Sequence, residues 1–138
     1  MRTKFTTSTN IIRDSSRELN YIPTPNSIKV INQIGNDFHK GIRSFNIIGS
    51  YGTGKSSFLW ALQQSLIGKK RFFNINLLQS PKVEIINFIG EYKSITNTLA
   101  DYFDLNLTKN ITEKILSEFF NRYHDLGRKI PLLIIVID

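Results

Sequence analysis

Three glycines within six residues, Gly49, Gly52 and Gly54, stand between two apolar stretches, and no helix or strand runs comfortably through them. Before them, residues 43–48 end in apolar, β-branched positions and read as a short buried strand. After them, residues 55–67 place Phe58, Leu59, Leu62 and Leu66 on one helical face, and Gly68 supplies a stop. The chain must therefore leave a strand, turn within a glycine loop and enter a helix. That unit makes a mixed α/β fold the starting expectation.

The remaining pattern extends the same theme. Residues 1–20 are polar, rich in Ser, Thr and Asn, and read as an N-terminal arm; residues 21–138 form one domain segment. Thr24-Pro25 is a helix start, with a capping hydroxyl followed by proline at the first helical position. Ile28, Ile31, Ile34 and Phe38 then share a face, and Gly41 ends the helix. Residues 83–89 suit a second strand, and Ser94 suits the cap of a helix carrying Ile95, Leu99, Tyr102 and Phe103. Asn110 and Glu113 have capping-box spacing before a helix with Ile111, Ile115, Phe119 and Tyr123 that ends at Gly127. Residues 130–137 are almost continuously apolar, as in a central parallel strand covered on both faces, and Asp138 follows. Helices alternating with strands in this order predict a parallel sheet.

The loop also carries chemistry. Gly49-Ser50-Tyr51-Gly52-Thr53-Gly54-Lys55-Ser56 fits G-x-x-x-x-G-K-[ST] at every fixed position. A polyphosphate needs several backbone N–H groups converging on it. Side chains at the three glycines would obstruct that approach or forbid the positive φ it requires. A helix starting near Lys55 adds the positive end of its dipole. The Lys55 ammonium would reach the β- and γ-phosphates, and the Ser56 hydroxyl would bind Mg²⁺. Ser50, Tyr51, Thr53 and Ser57 complete the expected nucleotide contacts. Asp138, at the end of an apolar strand, is the expected second Mg²⁺ ligand.

On these residues the chain resembles P-loop NTPases, with a Walker A loop at residues 49–56 and a Walker B strand at 133–138. It resembles more specifically the origin-recognition-like branch of the AAA+ and STAND ATPases. There an aromatic-x-Pro segment, a helix and a strand lead into the loop, as Tyr21-Ile22-Pro23, the helix from Thr24 and residues 43–48 do here. The resemblance implies an α/β three-layer sandwich with a parallel sheet, ATP and Mg²⁺ as ligands, and Lys55 and Asp138 as catalytic residues. It also implies that Tyr21, Ile22 and Pro23 lie beside the adenine, and that hydrolysis drives conformational work in a homo-oligomer. Ser56-Ser57 departs from the Thr that many AAA+ proteins carry, which weakens placement in one clade. Two other readings stand beside it: a nucleotide-binding switch without turnover, and a P-loop small-molecule kinase. GTP is not distinguished from ATP by these residues.

Composition closes several alternatives. Zero cysteines remove disulfide scaffolds, Cys-based zinc sites and thiol nucleophiles, and His39 and His124 are isolated. A net charge of +7 permits an acidic partner, but Lys69-Lys70-Arg71 reads as a solvated helix end before it reads as a nucleic-acid contact. Trp60, Phe72-Phe73 and Phe119-Phe120 are expected in the core, and Glu84, Glu91, Asp101 and Asp104 form no acid/base pair. No apolar leader follows Met1, and the longest apolar run, Leu132–Ile137, has 6 residues, so a soluble cytoplasmic protein without membrane contact is expected. In the resembled family a Glu, a sensor strand, an arginine finger and a lid follow the Walker B Asp. The expectation is thus that the sequence is the N-terminal part of a longer ATPase, truncated after the Walker B strand, binding nucleotide with little turnover.

Overall fold

The computed structural model describes residues 9–14, 16–77, 83–124 and 132–138. In chain order it contains α1 (Pro25–His39), α2 (Lys55–Leu66), β1 (Val83–Phe88), α3 (Ile95–Tyr102), α4 (Ile111–His124) and β2 (Leu132–Ile137). Gly127 and the first residues of the last predicted strand lie outside the described residues. These elements fall into two compact units, the first holding the described residues up to 77 together with Asp138, the second those from 83 to 137.

In the first unit the caps follow local chemistry. The Thr24 hydroxyl accepts from the Ser27 amide at 3.2 Å, while Ser27 Oγ accepts from the Thr24 amide at 2.8 Å, a reciprocal cap in which serine does what Glu usually does. Pro25 supplies the first helical φ without wasting an amide donor. One apolar cluster, Ile31, Phe58, Trp60, Ala61 and Phe73, forms the core, with Tyr21, Ile47, Leu59 and Leu62 against it. Ser65 ties the following segment to α2, its hydroxyl donating to the Ala61 carbonyl and accepting from the Phe72 and Phe73 amides. Gly68 ends α2 with φ +74°, as its position predicts.

Three expectations are corrected here. Residues 43–48 join no ladder among the described residues: the sheet pairs β1 with β2 only, and this stretch runs as irregular backbone with Ile47 on the core. Apolar content made it strand-like, but a strand exists only where another backbone takes its hydrogen bonds. The α2 face is also wider than the leucine stripe, since Trp60, Ala61, Gln63 and Gln64 are buried beside Phe58.

The third correction concerns the polar arm. Its described part is held down: Ile11 is 1% and Asp14 0% exposed. The Asp14 carboxylate accepts from the Asn10 amide, from Arg13 and from Arg17 at 2.8–3.2 Å. The Asp14 carbonyl receives the Trp60 indole N–H at 3.1 Å. The Asp14 carboxylate can be buried because donors from Asn10, Arg13 and Arg17, close along the chain, satisfy it.

In the second unit β1 and β2 are parallel, in register from Val83 opposite Leu132 to Phe88 opposite Ile137. Parallel pairing requires the chain to return to its starting end, which α3 and α4 accomplish. Ser94 caps α3 as predicted, accepting from the Asn97 amide. Ala100, Phe103 and Ile115 form the core, with Phe119 edge-on to Phe103. β2 is half-buried, with Ile135 and Ile137 exposed, rather than covered on both faces. Glu91 and Asp101 share the Lys93 ammonium, a surface ion pair set and no acid/base pair. None of the described helices is long and apolar enough to cross a membrane.

The Asp14 knot has a pH signature. The Arg13 hydrogen bonds first, then the Asn10 amide and Arg17, against an opposing effect of burial, hold the Asp14 carboxyl well below the usual carboxylate range. A depressed folded value favours the ionised form, so its contribution is complete above the unfolded value of about 4 and fades as pH falls below it. Urea unfolding of the wild type should therefore weaken between pH 5 and pH 3, and Asp14→Asn should flatten that dependence. An identical slope in both proteins would remove Asp14 from the acid response.

Candidate phosphate-binding loop

The glycine loop is suspended between two points of one core. Ile47 packs against the apolar cluster two residues before Gly49, and Phe58 enters the same cluster on the first turn of α2. Between these anchors residues 49–54 are exposed, and the Tyr51 side chain projects fully into solvent.

Within the loop the glycines have separate jobs. Gly52 and Gly54 adopt φ of +78° and +80°, a left-handed backbone that L side chains rarely take. Gly49 has an ordinary φ, but a Cβ there would lie 2.9 Å from Thr53 Oγ1. That hydroxyl is already committed, donating to the Ser50 carbonyl at 2.7 Å. The motif's three glycines thus answer to two steric demands, left-handed φ at two positions and close approach at the third.

Lys55 is the first residue of α2 and curls back over the loop. Its Nζ donates to the Gly49 carbonyl at 2.7 Å and to the Ser50 carbonyl at 2.8 Å. An ammonium has three donors, so at least one remains. Gly54, at the N-cap, has no side chain to offer, and no acidic residue lies in the first turn of α2. Thr53 donates its amide to Ser50 at 3.4 Å, and the Phe58 amide opens the regular helical ladder on Gly54. The amides of Tyr51, Gly52, Gly54, Lys55, Ser56 and Ser57 have no acceptor among the described residues. A helix end with uncapped amides, an adjacent ammonium and no acidic residue in its first turn is electrostatically arranged for an anion.

The other residues read from the sequence are placed as follows. Ser56 is half-buried, and its hydroxyl has no partner among the described residues. The Ser57 hydroxyl is engaged with Thr9 at 2.8 Å, which leaves its amide as the group facing the loop's chemistry. The partly buried Tyr21 ring packs edge-on to Phe72 and Phe73 at the margin of the core. Ile22 projects instead, 82% exposed, and Pro23 is half-buried. Asp138 is exposed directly after β2, with no partner among the described residues. No group of three or more His, Asp or Glu side chains assembles among the described residues. Mg²⁺ at a phosphate site takes one or two protein oxygens and fills its shell with phosphate and water, so Ser56 and Asp138 suit it in donor type.

Sequence reasoning missed Thr9 and Asp14, whose hydroxyl and backbone carbonyl reach Ser57 and Trp60 of α2, and Asn10, which bonds Asp14. A signal was present in the Asn10-to-Asp14 spacing flanked by Arg13 and Arg17, which is that of a self-bonded turn. Against known proteins, no family model, curated protein or solved structure matches the chain.

The left-handed N-cap is a direct handle on the loop. Nothing lies within 4 Å of a Cβ built on Gly54, so Gly54→Ala should cost only the backbone penalty, about 1–2 kcal/mol. Chemical denaturation should show that loss with an unchanged m-value. A neutral result would mean that the loop relaxes to another conformation.

Proposed function

We propose that this chain binds a nucleoside triphosphate, ATP with Mg²⁺, at residues 49–57. The observation that carries the reading is the pairing of six backbone amides, without acceptors among the described residues, with the Lys55 ammonium arched over the same loop. The amides of the loop and of the first turn of α2 would receive phosphate oxygens, and the helix dipole would favour their charge. Lys55 would exchange its Gly49 and Ser50 carbonyl partners for the β- and γ-phosphates, gaining a charge-assisted contact. Ser56 and Asp138 would hold the Mg²⁺, which supplies charge neutralisation along the phosphates. The resemblance to AAA+ and STAND ATPases supports ATP as the nucleotide, and extends the proposal to hydrolysis coupled to conformational work.

Calorimetry with Mg-ATP and Mg-GTP on wild type and Lys55→Ala tests the reading. Wild type should release heat on binding Mg-ATP, and Lys55→Ala should weaken that binding at least tenfold. Omitting Mg²⁺ should weaken it as well. Equal heats for the two proteins would defeat the assignment of the loop.

A further inference from the structure

We propose that the turn carrying Thr9, Asn10, Asp14 and Arg17 is a clasp that positions the start of α2 for nucleotide, with Asp14 as its positioning residue. The proposal rests on the nucleotide reading above and adds a coupled element to it.

The clasp grips α2 at two places on its first turns. Thr9 Oγ1 lies 2.8 Å from Ser57 Oγ, and the Trp60 indole N–H reaches the Asp14 carbonyl at 3.1 Å. Positions 57 and 60 are three apart, so both contacts fall on one side of the helix. Ser57 directly follows the proposed metal ligand Ser56, and its amide is one of those awaiting an acceptor. The first contact therefore acts on a residue of the site, and the second on the turn that sets the helix's attitude.

What closes the clasp is Asp14. Its carboxylate accepts from the Asn10 amide at 2.9 Å and from Arg13 and Arg17, and the Asp14 amide in turn donates to the Asn10 carbonyl at 2.8 Å. Ile11 and the Trp60 ring are buried alongside. The guanidiniums remain more than half exposed, so the knot is held mostly by short hydrogen bonds and less by charge that salt screens. A peg for stability alone would serve anywhere along α2. This one bears on the turn whose amides must converge on the phosphates, where displacements of about 0.5 Å matter.

Coupling of this kind is reciprocal. If a closed clasp favours nucleotide, nucleotide favours a closed clasp. Trp60, the protein's 1 tryptophan, is itself part of the contact and reports on it.

The test uses the whole chain and Mg-ATP, on wild type, Asp14→Asn, Thr9→Val and Lys55→Ala. Binding is read by calorimetry, Trp60 emission and amide hydrogen exchange over residues 9–17, and folding by circular dichroism. Asp14→Asn should weaken Mg-ATP by a factor within the 5- to 150-fold range roughly typical of linked sites. Thr9→Val, which removes one hydroxyl and keeps the knot, should weaken it by at least about threefold. Mg-ATP should slow exchange at residues 9–17 in wild type and not in Lys55→Ala. A purely structural knot would lower stability and leave both the affinity of the folded protein and that protection unaltered. Should Asp14→Asn fail to fold, Thr9→Val decides: unchanged affinity overturns the clasp. Wild type binding no better than Lys55→Ala would sink the nucleotide reading and the clasp with it, whereas tight wild-type binding matched by both clasp variants would sink the clasp alone.

Discussion

Everything about the loop depends on its being slung from a single apolar cluster, with Ile47 entering before Gly49 and Phe58 after Lys55. Left-handed glycines are cheap in a free chain but give no defined shape there, because glycine is as ready to leave that conformation as to adopt it. Fixing both ends within the packing around Ile31, Trp60 and Phe73 removes the alternatives and makes the loop's amides a constant of the fold. Tyr21 and Phe72, both partly buried, extend the same cluster and meet edge to face.

On that frame electrostatics does the selecting. α1 and α3 satisfy their N-termini with Thr24 and Ser94, while α2 begins on a glycine and a lysine. The uncapped end gives up stability of the order of a lost cap, about 1 kcal/mol, and leaves positive potential at the loop. Lys55 meanwhile bonds to the Gly49 and Ser50 carbonyls, which tethers its ammonium over the loop.

Much of the architecture was legible in the residues because it rests on local chemistry. The starts of α1 and α3 follow from one hydroxyl each, and the end of α2 from Gly68. Of the two paired strands, β2 is an apolar run and β1 is β-branched and apolar apart from Glu84 and Asn87, both of the length that a strand needs. The misreadings have a common cause in partners distant along the chain. Residues 43–48 have a strand's composition but join no ladder among the described residues, and β2 is less covered than its composition suggests. Residues 9–17 have the composition of a loose arm, yet Asp14 is buried because Trp60, 46 positions later, offers it a donor.

The sequence by itself determined the loop: three glycines, a lysine and a serine at spacings that leave few backbone solutions, between stretches that must be buried. It also determined the helix boundaries, since caps and stops act over three or four residues. Only the tertiary structure decided which side of α2 is covered, that the Tyr21 ring packs on Phe72 and Phe73, and that Thr9 and Asp14 grip the helix just after the loop. The physical reason is range. Backbone preference and capping are settled among neighbours, while burial and cross-chain hydrogen bonds depend on which distant residue arrives to complete them.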